Sequence, residues 1–408
     1  MRETTMRETN GRHDYSGRRA LVVGGSIGGL TAALLLRRLG FDVTVFERTP
    51  TDLDGRGGGI VLQPDTLRWF TECSEQHPEQ VSTGTRYVQY LGPRNEILHR
   101  DPRPWRYTSW GTFYRALLAD FGTERYHLGE YAAGFDQDDD GVEVRFVSGR
   151  RERAELVVFA DGIGSASRSR ISPGSVLEYS GYVGWRGTVH ESEVSPETFE
   201  LLHDSISFSV APYTHINIYP IPSNEGGLTA GNRLLNYVWY RNVAEGADLD
   251  ELMTDKRGFL GKVSVHPGQV QDRFVEEMRE VAGTVLAPAA AEVVRRTEQP
   301  YLQAVYDVGA ERMAVGRVAL IGDAASAARP HAAAGTAKAA ANAWALYDAL
   351  GEADGAIPAA LAKWEPGQLE LGQRLLRRVK EMGTRSQVDC TWVPGDPDLR
   401  FGLYGPGQ

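Results

Sequence analysis

Three short, unbroken apolar runs stand out along the chain: Ala20-Leu21-Val22-Val23, Leu156-Val157-Val158-Phe159-Ala160 and Val318-Ala319-Leu320-Ile321. Each ends in a glycine turn, and such runs read as buried strands of a parallel sheet. After the first run, Gly28 to Leu39 has a helical pattern, and Asp42-Val43-Thr44-Val45-Phe46 reads as a second strand, so residues 18–48 form a strand–helix–strand unit. The loop Gly55-Arg56-Gly57-Gly58-Gly59-Ile60 leads into a helix from Pro64 to about Phe70. Thr85–His99 alternates like strands, and Thr112–Phe121 reads as a helix with Leu117 and Leu118 on its apolar face. Val142, Val144 and Phe146 alternate with charged residues before a turn at Ser148-Gly149-Arg150.

From about residue 178 to 300 the character changes to aromatic-rich strands with one charged helix, Asp248 to Arg257. Residues 317–350 return to strand, turn and alanine-rich helix. Pro358 to about Arg385 reads as a helical pair, and the Pro/Gly-rich end from Val393 as an extended tail. Met-Arg-Glu-Thr repeats at residues 1–4 and 6–9, within a polar stretch, 1–17, expected to be a disordered extension.

The turns carry the chemistry. Gly24-Gly25-Ser26-Ile27-Gly28-Gly29 joins a strand to a helix. Gly24 permits the tight turn, Gly29 lets helix and strand pack closely, and the helix N-terminus offers N–H groups to a pyrophosphate. Glu47 closes the second strand, and an acid about 20 residues past the glycines is placed for ribose hydroxyls, with Arg48 beside it. Ser26 replaces the middle glycine of the usual fingerprint, so its side chain must point away from the phosphates. The second turn is Asp161-Gly162 and the third Gly322-Asp323. Taken singly, these are ordinary βαβ turns or turn caps; in this order they point to a flavin dinucleotide.

Length and charge narrow the class. A chain of 408 residues suits two intimately connected domains, and a net charge of −10 without a basic block argues against nucleic acid or an anionic membrane. Cys73 and Cys390 are too few and too far apart for a disulfide framework or a zinc site, so no metal is expected and a reducing cytoplasm fits. No apolar stretch approaches the roughly 18 residues of a membrane span. Nothing here fixes the oligomeric state; a homodimer is one option.

Ala160-Asp161-Gly162-Ile163-Gly164-Ser165-Ala166-Ser167-Arg168, and Arg317-Val318-Ala319-Leu320-Ile321-Gly322-Asp323-Ala324-Ala325 followed by Pro330 and Gly335, resemble the single-component flavoprotein aromatic hydroxylases, the para-hydroxybenzoate hydroxylase-like group. The resemblance runs from Arg18 to about Arg385. Runs beyond the cofactor motifs, among them Gly181-Tyr182-Val183-Gly184-Trp185-Arg186-Gly187 and Arg329-Pro330-His331-Ala332-Ala333-Ala334-Gly335, are similar to its hydroxypyridine-hydroxylating branch. The resemblance implies an α/β fold with an α+β insert. A Rossmann-like FAD-binding domain would take 18–80, 105–178 and 300–355, an inserted antiparallel-sheet substrate domain 81–104 and 179–299, and C-terminal helices and tail 356–408. It implies non-covalent FAD. Gly24, Ser26, Ile27, Gly28, Gly29, Glu47, Arg48, Arg115, Asp161, Gly162, Gly322, Asp323, Pro330 and Gly335 are the cofactor-binding positions. Asp323 would hold flavin-side hydroxyls. The helix after Pro330 would aim N–H groups at the flavin pyrimidine. Arg115 reads equally well as a solvated helix residue. Ser326, Ala333 and Ala337 depart from the family pattern near the flavin ring.

The resemblance also implies the reaction: NADH or NADPH reduces FAD, O2 adds to give a flavin hydroperoxide, and an electron-rich phenolic or hydroxypyridine-like ring is hydroxylated. His215, Asn217 and Tyr219 alternate with Ile216 and Ile218 and so share one strand face, with Tyr237 and Trp239 alternating on a neighbouring strand. His215, Tyr219 and His331 are the catalytic candidates, and Trp185, Arg186, Asn217, Tyr237 and Trp239 the substrate-pocket candidates. The alternatives are a solvent-facing sheet for the strand residues and a capping or packing role for His331, Trp185 and Arg186. Two other functions remain open. One is Baeyer–Villiger-type or rearrangement chemistry in natural-product tailoring; the other is a non-enzymatic, redox-sensing FAD module.

Overall fold

The computed structural model describes residues 12–51, 53 and 58–408. The three apolar runs become the adjacent parallel strands Arg19–Val23, Leu156–Phe159 and Val318–Leu320, with Asp42–Phe46 parallel to the first on its other side. Register pairs Val22 with Val158 and Val158 with Ala319. Parallel strands end on the same edge, so the three glycine turns, distant in sequence, come together there. The helices Ile27–Arg38 and Gly335–Gly351 pack against each other beside this sheet. The fold is Rossmann-like α/β with a large, mostly antiparallel second sheet.

That second sheet exceeds the expected 81–104 and 179–299. It also takes Gly59–Leu62, the whole of Ile97–Ser109 and Tyr301–Gly309, because Gly59 pairs with Ser109 and Arg186 with Tyr301. A separate three-stranded sheet spans residues 132–154. The charged helix is shorter than expected, Ala247–Met253, and helices Asp272–Val285 and Pro288–Arg296 follow it. Their apolar faces cover one side of the large sheet and bury Trp185, Tyr237 and Trp239 with Met278 and Val293.

Two further expectations change at the ends. The C-terminal helical pair is one helix, Ile357–Gln387, running through Pro366. Proline removes one helical hydrogen bond, but the buried residues Leu361, Trp364, Leu371, Leu375 and Val379 hold both halves to the core. The tail is not extended. Arg378 donates to the carbonyls of Arg400 and Gly402, and Leu399, Phe401 and Leu403 are buried. At the other end, residues 1–11 lie outside the described residues, as do residues 55–57 of the 55–60 loop. Residues 12–17 are packed rather than disordered: Tyr15 stacks on Phe41 and donates to the Leu350 carbonyl at 3.0 Å. Among the described residues, no helix is long and apolar enough to cross a membrane.

Candidate active site

Two cavities open along the edge where the glycine turns meet. The smaller, about 170 Å³, is lined by Gly24, Ser26, Glu47, Arg48, Asp161 and Gly162, among others. Gly24 has φ +107°, and a Cβ there would meet the Ala160 carbonyl at 2.2 Å, so only glycine lets the turn lie against the neighbouring strand end. A Cβ at Gly29 would strike the Gly24 carbonyl at 1.8 Å, which explains the close helix–strand contact. Ser26 is the helix N-cap but makes no side-chain cap bond, and Ile27 is buried as the helix begins. Glu47 accepts from the backbone N–H of Gly25 and of Thr49, each at 2.9 Å. The acid therefore braces the turn as well as facing the cavity. Asp161 Oδ1 is buried without a hydrogen-bond partner, and burial pushes its carboxyl up, against hydrogen bonds from Ser165 and Ser167 that pull it down.

The larger cavity, about 260 Å³, lies between the third turn and the large sheet. Asp323, Pro330, Ala333, Gly335 and Thr336 form its floor, and Gly184, Arg186, Asn217, Tyr219, Val238 and Tyr240 its wall. The N-terminus of helix Gly335–Gly351 points at it, with the N–H groups of a first helical turn. Among the described residues, nothing lies within 4 Å of where a Cβ at Gly162 or Gly335 would be, so open space adjoins both cavity-lining glycines. Ala333 is in the left-handed region, φ +52°, and its carbonyl accepts from Gln63 Nε2 at 2.8 Å.

Several supporting residues were not legible beforehand. Arg168 donates to the carbonyls of Ile163 at 2.6 Å and Ala324 at 3.1 Å, tying the Asp-Gly segment to the Gly-Asp turn. Lys338 is fully buried beneath that turn and donates to the Gly322 carbonyl at 2.8 Å. Burial pushes its pKa down to about 8, opposed by the Asp323 carboxylate. Lys338 also bonds Ser326 Oγ at 3.1 Å, so the serine found where the family pattern differs serves the lysine. Its signal, a cation inside an alanine-rich helix, was present in the sequence but pointed nowhere.

The structure separates the substrate-side candidates. Arg186, Asn217 and Tyr219 line the larger cavity; Tyr219 stacks on Tyr107 at 4.8 Å between ring centres. Trp185, Tyr237 and Trp239 do not. Register pairs Trp185 with Trp239 and Ile218 with Tyr237, which turns all three to the helix-covered side of the sheet. The expected pocket role of these three is therefore corrected. His215 shares the face of Asn217 and Tyr219 but lies beyond the cavity lining. It stacks on Trp392 at 4.6 Å, bonds Ser386 Oγ, and burial pushes its pKa down to about 3. His331 is buried 4.7 Å from the Tyr240 ring, with Nε2 2.7 Å from Tyr182 Oη; burial, then the neighbouring His215 and Arg329, hold its pKa well below the usual range. Both histidines are neutral at physiological pH and stand behind Tyr240, away from the cavity surface where the sequence reading put them. Arg115 projects from helix Trp110–Phe121 toward Thr112 Oγ1 at 3.5 Å and lies outside the linings of both cavities.

A buried carboxylate oxygen without a partner, a glycine turn against a strand end and an open helix N-terminus fit a dinucleotide. Comparison with known proteins agrees. The FAD binding domain family matches residues 18–215, and an FAD binding domain-like family matches residues 179–307. Over 386 residues the chain is 38% identical to the 2,6-dihydroxypyridine 3-monooxygenase of Paenarthrobacter nicotinovorans, covering 94% of this chain and 96% of that protein. It is 29% identical over 380 residues to 3-amino-4-hydroxybenzoate 2-monooxygenase PtmB3 of Streptomyces platensis, covering 90% and 87%. The solved structure of 2,6-dihydroxypyridine-3-hydroxylase from Arthrobacter nicotinovorans matches with a TM-score of 0.89 at 38% identity, over 95% of this chain and 97% of that one. The chain belongs to the FAD-dependent aromatic hydroxylases, a family of flavoprotein monooxygenases.

Proposed function

We propose that this protein hydroxylates a hydroxypyridine-like or phenolic ring, with NADH or NADPH as electron donor and O2 as oxidant. The observation that carries this reading is a cavity of about 260 Å³ lined both by Asp323, Pro330 and Gly335 and by Arg186, Asn217 and Tyr219. Bound FAD supplies two-electron activation of dioxygen, which no side chain can. Asp323 receives flavin-side hydroxyls and Glu47 the adenosine ribose. Asp161 turns its unpartnered oxygen to the cofactor, and the first turn of helix Gly335–Gly351 faces the ring end. Tyr219 is a buried phenol whose pKa burial raises, so it stays protonated and donates a hydrogen bond to a ring oxygen or nitrogen. Ile60, Val61, Val238 and Phe401 line the same cavity and exclude water. One O2 and one NAD(P)H give one hydroxylated ring and one water. The two free cysteines suit a reducing cytoplasm.

The test is a substrate screen on the purified yellow protein. Hydroxypyridines and phenols are added singly while NAD(P)H and oxygen consumption are followed, and products are weighed and their structures solved. A hydroxylated ring supports the reading. A ring-expanded or rearranged product replaces it with carbonyl oxygen insertion, and bound FAD with no ring-stimulated NAD(P)H oxidation replaces it with a redox module.

A further inference from the structure

The left-handed backbone of Ala333 strains an alanine and would not strain a glycine. The strain falls where the short turn Pro330–Ala332 reverses into helix Gly335–Gly351. Ala333 N–H closes that turn on the Pro330 carbonyl at 2.9 Å. The helix then makes its first bond from Lys338 N–H to the Ala334 carbonyl at 2.8 Å, which leaves the N–H groups of its opening turn for a ligand. Pro330, Ala333, Ala334, Gly335 and Thr336 all line the larger cavity. The reversal at Ala333 therefore decides where those N–H groups point.

A strained residue persists only where its surroundings hold it. Here the holder is Gln63. Its Nε2 donates to the Ala333 carbonyl at 2.8 Å and to the Ala332 carbonyl at 3.3 Å. The Ala332 carbonyl also accepts from Gly402 N–H at 3.1 Å; among the described residues, the Ala333 carbonyl has no donor but Gln63. Turning the amide over would set its oxygen against two carbonyl oxygens, so its orientation is fixed. Gln63 is buried, and its Oε1 has no partner. It stands at the N-cap of helix Pro64–Glu72 yet makes no cap bond there. A buried amide with an unsatisfied oxygen weakens a fold. Among the described residues, the only hydrogen bonds of this side chain are the two to the reversal.

We propose that Gln63 is a positioning residue for the cofactor: by holding Ala333 left-handed, it fixes the N-terminus of helix Gly335–Gly351 towards the flavin pyrimidine. This rests on the FAD-dependent hydroxylase reading above and deepens it. Gln63 lies outside the linings of both cavities and acts through Ala333. A helix N-terminus stabilises the negative charge that a flavin gains on reduction, so the amide bears on the reduction potential as well as on affinity.

The test is a mutant cycle of Gln63→Met and Ala333→Gly, read on the purified protein as the FAD dissociation constant and the flavin reduction potential. Methionine keeps the unbranched shape and loses both donated bonds. Glycine adopts the left-handed conformation without strain. With Ala333 in place, Gln63→Met is expected to weaken FAD binding about 10-fold and to make the potential more negative. Combined with Ala333→Gly, the same substitution is expected to cost no more than about 3-fold, with a smaller shift of potential. Equal effects in the two backgrounds, or none in either, would overturn the proposal, because a residue that only fills space beside helix Pro64–Glu72 is indifferent to what occupies position 333. Gln63→Asn, one methylene shorter, draws the amide back from the Ala333 carbonyl; it is read in the same cycle should Gln63→Met not fold. The two readings fail separately. If no ring is hydroxylated and the cycle is non-additive, the hydroxylase reading falls and Gln63 keeps its role. If 2,6-dihydroxypyridine is hydroxylated and the losses simply add, the positioning role falls alone.

Discussion

Lys338 Nζ lies 3.8 Å from Asp323 Oδ1 and beneath the turn that carries this aspartate, with the Gly322 carbonyl 2.8 Å away. The lysine is almost wholly buried and the aspartate half exposed to the cavity. One cation thus fixes the turn from below while leaving the carboxylate open to a ligand above. Lys338→Met should keep the fold and lower FAD affinity, because the turn loses its anchor. The buried lysine also has a pH signature. Its pKa is about 8 when folded against an ordinary 10.5, so the unfolded chain binds more protons between those values. Stability referenced to Lys338→Met should therefore rise from pH 8 towards 10.5, by about 2–3 kcal/mol. Paired denaturant titrations of wild type and variant would show it; a flat or falling difference would mean that the lysine is solvated.

Glu47 and Asp323 should fail differently. The Asp323 carboxylate lines the cavity and, among the described residues, otherwise meets only the buried Lys338, at 3.8 Å, so Asp323→Ala should cost about 1.5–3 kcal/mol of FAD binding and lower the melting temperature of the FAD-free protein less than Glu47→Ala does. Glu47 holds two backbone N–H groups, so Glu47→Ala should lower the melting temperature even without FAD, with a smaller loss of cofactor affinity. FAD dissociation constants and apoprotein melting curves separate the two. Equal FAD losses, or an Asp323→Ala apoprotein destabilised more than the Glu47→Ala apoprotein, would contradict the assignment.

Tyr219→Phe removes one hydroxyl from the cavity wall and leaves the ring stacked on Tyr107. FAD content should not change. Product formed per NAD(P)H consumed should fall, with the difference appearing as hydrogen peroxide. Unchanged coupling would remove Tyr219 from the substrate contacts.

His215 should behave as a structural residue. Its folded pKa of about 3 lies below its ordinary 6.5, so the unfolded chain takes up the proton first, and stability is lost as pH falls from 6.5 towards 3. His215→Phe should blunt this acid sensitivity and leave the pH dependence of turnover unmoved. A shifted pH–rate profile would instead bring the histidine into the reaction.

The sequence made the cofactor half of the site legible because its strands are buried on both faces. Such strands read as continuous apolar runs, and the turns after Val23, Ala160 and Ile321 need residues as distinctive as glycine and aspartate. On the sheet side of the cavity, Arg186 came from the family resemblance and Asn217 with Tyr219 from alternation along one strand. Alternation places Asn217 with Tyr219, and the structure keeps them together at the cavity. Alternation cannot say how the next strand is paired, and the pairing of Tyr237 with Ile218 sends Tyr237 and Trp239 to the opposite face. The wall also depends on distant chain. Phe401 comes from a tail with turn-like composition, and Trp392 closes over His215 from the same tail. Lys338 stood out as a cation in an alanine-rich helix, but two of its partners are the Gly322 and Ser326 carbonyls, which no side-chain pattern marks.

The central claim is that one atom of dioxygen is transferred to an aromatic ring in the cavity between Asp323 and Tyr219. The most direct test is a single incubation of purified protein with NAD(P)H, 2,6-dihydroxypyridine and isotopically labelled dioxygen, with mass analysis of the product. The account predicts a ring carrying one labelled oxygen atom, in an amount matching the NAD(P)H consumed in coupled turnover. Unlabelled or absent ring product, with the consumed oxygen recovered only as hydrogen peroxide for this and every other hydroxypyridine or phenol tried, would contradict it.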